Sequence, residues 1–268
     1  MSDNSTSGSS EPKPVPEARL ASTVLLLRQT AAEMEVFMVV RHHQIDFASG
    51  ALVFPGGSVD PADREIAART DLIRGGGDTD AGVLALRVAA VRETFEECGI
   101  LLARPHGSEA LISAERLTAI GPPKTESAGA FRDFIAAERL ELALDLLVPF
   151  AHWITPTAMP KRFDTHFFMA VAPADQVGIH DGHEAVDSVW IAPQRAVDEA
   201  HAGRFTLVFA TERNLIRLAR ATDVEDAIAR ARAEPIVTVM PQVSKGDDGK
   251  RQLRIPKDAG YDGEVFAI

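Results

Sequence analysis

The sequence predicts an α/β fold of the α+β kind: a mixed β-sheet with helices on both faces, with added helices and a C-terminal hairpin. Three observations predict it. Short apolar runs that read as strands recur between residues 21 and 191. Helical repeats separate them, the longest over Thr79–Cys98. The final segment reads as two strands around an Asp-Gly turn.

Residues 1–17 are rich in Ser, Gly and Pro and read as a disordered tail. Strands are expected at Ala21–Arg28, Val36–Arg41 and Ala51–Phe54. In the helix over Thr79–Cys98, the apolar stripe Leu84, Val88, Val91, Phe95 marks the buried side. Thr79 or Asp80 is placed to cap its start and Gly99 to stop it. Ile100–Ala103 re-enters a sheet, and residues 109–147 read as helical with a break at Gly121-Pro122-Pro123. Within that stretch Phe131, Phe134, Ile135 and Glu138 keep the helical repeat. Strands follow at His152–Thr155, His166–Ala172 and Val186–Ile191, then helices at Pro193–Ala202, Val208–Ala221 and Val224–Ala233. The hairpin has arms Ile236–Met240 and Gln252–Ile255 around Lys245-Gly246-Asp247-Asp248-Gly249. Its expected role is to complete the fold at an edge, with a dimer contact or a lid over a site as functional alternatives. The organisation is a tail over 1–17, a domain over 18–234 and an extension over 235–268, without internal repeats.

Bulk properties narrow the function. The chain has 268 residues, 46% hydrophobic, enough for one domain of generous size. A net charge of −11 argues against a surface that coats nucleic acid, whose affinity rests on Lys and Arg at phosphates. It does not exclude a small phosphorylated substrate whose charge a metal ion meets. Cys98 is the only cysteine, so no intramolecular disulfide forms, and a reducing cytoplasm suits the chain. No run approaches 18 consecutive apolar residues, so no membrane span is expected. The N-terminal segment lacks the apolar core of a signal peptide, and Val265-Phe266-Ala267-Ile268 is not a peroxisomal address. No Cys/His spacing of a zinc site appears, and Gly75-Gly76-Gly77 lacks the Lys-Ser/Thr of a phosphate-binding P-loop, so it reads as a flexible loop.

The chemistry concentrates in Arg92-Glu93-Thr94-Phe95-Glu96-Glu97-Cys98-Gly99-Ile100. Like charges at i,i+3 and i,i+4 each cost roughly 0.2–0.5 kcal/mol, and the C-terminal end of a helix repels anions. Glu93, Glu96 and Glu97 share a sector roughly opposite the apolar stripe, with Arg92 within reach of Glu96. A divalent cation held by hard oxygen ligands would offset the repulsion. Upstream, Phe54-Pro55-Gly56-Gly57 ends a short strand in a turn whose backbone a ligand can approach without a Cβ in the way.

Together these two segments resemble the signature of the Nudix hydrolases, Gly-x5-Glu-x7-Arg-Glu-U-x-Glu-Glu-x-Gly-U with U apolar. Arg92, Glu93, Phe95, Glu96, Glu97, Gly99 and Ile100 match its second half at every defined position. Gly57 and Arg92 stand 35 positions apart where the signature has 14, so 21 residues are inserted. Counting back from Arg92, the early Glu falls on Leu84; counting forward from Gly57, it falls on Asp63, which could substitute. The insertion, with His152-Trp153-Ile154-Thr155-Pro156-Thr157 and Lys161-Arg162-Phe163-Asp164-Thr165-His166-Phe167-Phe168, is similar to the branch that includes the peroxisomal coenzyme A diphosphatase, Nudix type 19. The separate coenzyme A motif of other Nudix diphosphatases is hard to find around Val39-Val40-Arg41-His42-His43.

The resemblance implies attack by water on one phosphorus of a diphosphate, with Mg²⁺ or Mn²⁺ neutralising it. It implies Glu96 and Glu97 as main metal ligands, Glu93 as a further ligand or positioner of the water, the Gly56 carbonyl as a ligand, and Arg92 as the cation that orients a glutamate. Glu184 resembles the later-loop acids that serve as general base in the family, or is an exposed loop carboxylate. Arg41, Lys161 and Arg162 are candidates for phosphate contacts and Gly57 for close backbone approach to the substrate; each cation could equally be an ordinary surface residue. Trp153 and Phe163 could stack on an adenine or fill the core, and His42 and His43 line a pocket or merely flank the strand. Coenzyme A or acyl-coenzyme A is the leading substrate, with ADP-ribose, NADH or another nucleotide derivative as alternatives. A nucleotide-sensing domain without turnover is a third reading. No nucleic acid or membrane partner is expected. Oligomeric state is open, although homodimers are common in the superfamily.

Overall fold

A computed structural model describes residues 15–41, 50–77, 79–123, 127, 129–178, 185–246 and 249–267. The elements run β1 (Arg19–Gln29), β2 (Met34–Arg41), β3 (Leu52–Val53), β4 (Gly56–Ser58), α1 (Pro61–Ala67), β5 (Ile73–Arg74), α2 (Ala81–Cys98), β6 (Ala103–Pro105), α3 (Ala114–Ile120), α4 (Ala130–Ala137), β7 (Leu140–Ala143), β8 (Val148–Ile154), β9 (Phe163–Val171), β10 (Ala185–Ile191), α5 (Pro193–His201), α6 (Phe209–Leu218), α7 (Val224–Ala233), β11 (Thr238–Val239), β12 (Gln242–Lys245), β13 (Arg251–Arg254) and β14 (Val265–Ala267).

The main sheet has the order β10-β2-β1-β9-β8-β11 and is mixed, with β1–β9 and β8–β11 parallel and the other neighbours antiparallel. β1 pairs with β2 through its last residues (Leu27↔Val36) and with β4 through its first (Ala21↔Ser58). The turn at Pro55-Gly56-Gly57 is thereby set against the first half of β1. Side chains alternate across β1, as the pleat dictates. Val24 and Leu26 join a core with Val88 and Val91 of α2, while Leu25 and Leu27 join a second core with Leu215 and Leu218 of α6 and Ala227 of α7. Helices therefore cover both faces, as the sequence predicts.

α2 is held at both ends by its own residues. Asp80 accepts from the amides of Gly82 and Val83, and Gly99 takes the left-handed conformation (φ 68°) with its N–H on the Phe95 carbonyl. The helix is buried well beyond the Leu84–Val88–Val91–Phe95 stripe: Ala85, Leu86, Ala89, Ala90, Thr94, Glu97 and Cys98 are also inside. On its acidic side Glu97 is buried and Glu93 partly so, while Glu96 stays exposed to solvent.

Several expectations are corrected. The insertion holds structure beyond its glycine loop at residues 75–77. It holds α1, started by an Asp60–Asp63 capping box with Pro61 in the first turn, and β5, which pairs with β7. A Cβ on Gly75 (φ +89°) would lie 2.5 Å from Cβ of Asp145, so this glycine is required by close packing. Residues 109–147 are not continuously helical. α3 and α4 are short, and Leu140–Ala143 is the central strand of a three-stranded sheet, β5-β7-β6. Leu140 and Leu142 reach the core as alternate strand residues, a period the helical reading did not test. The strand expected at Ile100–Ala103 begins only at Ala103. The first arm of the C-terminal hairpin is Gln242–Lys245; Ile236–Met240 instead supplies β11, which pairs with β8. β14 completes a separate sheet, β12-β13-β14. Among the described residues no helix is long and apolar enough to cross a membrane.

Candidate active site

The Nudix-like glutamates meet the glycine turn through a network centred on Arg92. Its Nε and Nη2 donate to the two oxygens of Asp63 at 2.8 and 2.9 Å, a bidentate pair. Nη1 donates to Glu93 Oε1 at 2.9 Å and Glu96 Oε2 at 2.8 Å, and Nη2 also reaches the Ser58 carbonyl at 3.0 Å. Asp63 is fully buried, six positions after Gly57, where forward counting puts the early acid. Its other oxygen contact is local: Asp63 Oδ2 accepts from the Asp60 amide in the capping box. One residue thus starts α1 and fixes Arg92.

Glu97 is buried and accepts from the Gly56 amide at 2.9 Å, which ties the end of α2 to the turn. The two glycines differ in what a side chain would meet. A Cβ on Gly56 would collide with the Ser22 carbonyl, and one on Gly57 would enter the Glu93 carboxylate. Burial pushes the Glu93 carboxyl up to about 7, with the charges of Glu96 and Asp63 adding to the rise against the pull of Arg92. Burial also raises Glu96. For Arg92, burial opposes the charge, but the bond to Asp63 and the charges of Glu93, Asp63 and Glu96 outweigh it and raise its pKa.

A cavity of about 710 Å³ opens beside this cluster, in the size range of small-molecule sites. Gly56, Gly57, Ser58 and Glu93 form one end. Trp153, Phe163, Phe167 and Phe209 give it an aromatic wall, and Arg19, Lys161 and Arg251 supply cations. Val243, Arg251 and Leu253 come from the C-terminal sheet. The hairpin is thus part of the cavity wall, a use closest to the lid alternative. Trp153 is both wall and core: it is 4% exposed, and its Nε1 donates to the Tyr261 hydroxyl at 2.9 Å.

The structure therefore brings Gly56, Gly57, Arg92, Glu93, Glu96 and Glu97 together and puts Lys161 on the cavity wall. Arg162 is corrected: it is buried, with Nε on the Thr155 carbonyl at 3.1 Å and Nη1 on the Pro16 carbonyl at 2.7 Å, and it does not line the cavity. A guanidinium capping strand-end carbonyls is not presented to a phosphate. Glu184, His42, His43 and the Arg41 side chain lie outside the described residues. Sequence reasoning missed Arg19, Val243, Arg251 and Leu253, because strands far apart in the chain bring them to one wall. Alternation within the hairpin was the one signal available.

The family model for the NUDT19 Nudix domain matches residues 68–208, just over half of the chain. The chain belongs to the Nudix family. The match starts after Gly57 and Asp63, so the turn and the early acid are supported by their geometry here rather than by that model. A Nudix hydrolase relative from Caenorhabditis elegans is 28% identical over 205 residues, 76% of this chain and 62% of that protein. The Xenopus laevis acyl-coenzyme A diphosphatase NUDT19 is 21% identical, over 83% of this chain and 70% of its own. The human protein of the same name is 28% identical, but this chain covers 51% of it. Among solved structures, a Nudix hydrolase from Alicyclobacillus acidocaldarius superposes with a TM-score of 0.69 at 28% identity, over 81% of this chain and 97% of that one.

Nudix hydrolases generally use divalent metal ions. The residues of this Nudix chain fit such an ion. Glu93, Glu96 and Glu97 offer oxygen donors, the set that hard cations take, while Arg92 bonds to Glu93, Glu96 and Asp63. The burial that raises the Glu93 carboxyl, with the charge of Glu96 beside it, favours a cation at this end of the cavity.

Proposed function

We propose that this protein uses a divalent metal ion to hydrolyse a diphosphate joined to another group. The leading substrate is coenzyme A or acyl-coenzyme A, cleaved to the phosphopantetheine or its acyl form and adenosine 3′,5′-bisphosphate. The observation that carries the chemistry is the Arg92 network, which holds Glu96 beside Glu93, with Glu93 against Gly57 at the end of the cavity and Glu97 on the Gly56 amide. The names of the Xenopus and human relatives support the coenzyme A reading. So does a cavity that combines three cations, suited to several phosphates, with aromatic and aliphatic walls.

In this reading Glu96, Glu97, Glu93 and the Gly56 carbonyl would hold Mg²⁺ or Mn²⁺. When bound, such an ion would neutralise diphosphate charge and lower the pKa of water. Arg92 orients Glu93 and Glu96 while Asp63 fixes Arg92 from behind. Water oxygen attacks one phosphorus, the bridging P–O bond breaks, and the water proton passes to a carboxylate. Glu93, which faces the cavity, and Glu184 are the candidates for that proton. Lys161 meets phosphate oxygens with Arg19 and Arg251, the Gly57 backbone allows close approach, and Arg41 is a further phosphate candidate.

The test incubates the protein with Mg²⁺ or Mn²⁺ and, in turn, coenzyme A, ADP-ribose and NADH, with products read by mass spectrometry. Phosphopantetheine and adenosine 3′,5′-bisphosphate, formed by the wild type and absent with Glu97→Gln, are expected. Cleavage of only ADP-ribose or NADH would keep the chemistry and overturn the substrate. Nucleotide binding without product would favour a sensing domain.

A further inference from the structure

We propose that His152, Asp164 and His166 form a second metal site, taking a zinc-class divalent cation and separate from the glutamate cluster. The local sequence conceals it, because the ligands sit on two strands. His152 pairs directly with His166 across β8 and β9, and Asp164 precedes His166 by two residues on the same face. The imidazoles stack with centroids 4.0 Å apart at 22°. Asp164 Oδ1 lies 2.5 Å from His152 Nε2 and 3.8 Å from His166 Nε2, and one ligand atom of each residue falls within 4.8 Å of the others. Tetrahedral zinc with bonds of about 2.0–2.1 Å spaces its ligands by about 3.3 Å. The two observed separations bracket that value, so shifts of roughly 1 Å or less would admit the ion.

Two neighbours point the same way. His152 Nδ1 is 2.8 Å from Thr238 Oγ1 on β11. With Nε2 on a metal, the ring proton sits on Nδ1 and the threonine hydroxyl accepts it, the outer contact that ligating histidines use. Ser22 pairs with His166 across β1 and β9, so its side chain shares that face. It is fully buried, and its Oγ has no hydrogen-bond partner among the described residues. A hydroxyl in that position calls for a polar group beside the trio, such as a water on the ion. A His152–Asp164 hydrogen bond alone would explain neither the stacked second imidazole nor Ser22. Two imidazoles and one carboxylate select zinc-class ions over Mg²⁺. Partial exposure of the three side chains (17, 26 and 31%) leaves a route for entry and a position for a fourth ligand. The site is distinct from the glutamates. Gly57, which faces Glu93, pairs with Ser22, so two strand spacings, roughly 10 Å, separate the backbones of Gly57 and His166.

The test titrates Co²⁺ into full-length, chelator-stripped protein kept in excess Mg²⁺ and follows visible absorption. An intense tetrahedral band saturating at one equivalent and displaced by Zn²⁺ is expected in the wild type and in Glu97→Gln. In His166→Asn it should be absent. Thr238→Val should weaken Zn²⁺ binding by roughly 10–100-fold, the usual effect of losing an outer contact. Zn²⁺ should raise the melting temperature of the wild type and leave that of His166→Asn unmoved, with circular dichroism showing that the variant is folded. A weak octahedral spectrum in the wild type, or a His166→Asn titration like the wild type's, would overturn the proposal.

Discussion

Arg92 bonds to four residues from three segments: Asp63 in α1, Glu93 and Glu96 in α2, and the Ser58 carbonyl. Removing it leaves the fully buried Asp63 carboxylate without its cation. Arg92→Ala should therefore cost about 3–5 kcal/mol, the range for breaking a buried pair, read by urea denaturation. A loss below 1 kcal/mol would mean that Asp63 finds other partners. Gly57→Ala separates function from folding: the atoms nearest its added methyl group belong to the end of the Glu93 side chain, which can move. We expect kcat to fall by at least about tenfold, as when an outer contact to a ligand is lost, while the melting temperature changes little. Unchanged turnover would dissociate Glu93 from catalysis. At this scale the glutamate cluster was legible because helix geometry relates residues three and four apart, and Asp63 was legible by counting from Gly57. Arg162 was misread because a cation's charge says nothing of the carbonyls around it. The His152–Asp164–His166 trio was invisible because a strand pair, not a local period, brings it together.

The inserted segment has its own architecture. α1 delivers Asp63, and β5 anchors the return to α2 by pairing with β7. Gly75→Ala would force a left-handed alanine against Asp145, and a loss of about 1–3 kcal/mol is expected from chemical denaturation. An unaffected midpoint would mean that the insertion tolerates local rearrangement. Most long elements were readable because each has an uninterrupted period; α7 spans the residues the sequence predicts. The short ones were not, since a two-residue strand such as β5 or β11 is defined by its partner and not by its own pattern. In the C-terminal segment, Tyr261 accepts from Trp153 and donates to Asn214 Oδ1 at 2.6 Å. Tyr261→Phe leaves both partners buried and unsatisfied, with an expected cost of about 1–3 kcal/mol; a melting curve like the wild type's would contradict that.

At the scale of the molecule, the main sheet carries two cores, and the cavity draws its walls from distant parts of the chain. The acidic end comes from residues 56–93, the aromatic wall from residues 153–209 and the last wall from residues 243–253. Deleting residues 235–268 removes that wall and the Tyr261 bond, and it should lower solubility or change the oligomeric state, and raise KM for the diphosphate substrate more than it lowers kcat. An unchanged, fully active monomer would contradict this. Overall architecture was legible because apolar runs and helical periods alternate, whereas the shape of the cavity depends on pairings that no local pattern encodes. During synthesis the carboxylates and their arginine emerge well before the hairpin that walls the cavity. A chain folding from its N-terminal end would gather its anionic centre while the substrate pocket still lacked a side. The cavity would then close only after the anionic centre is in place, once residues 243–253 fold against it.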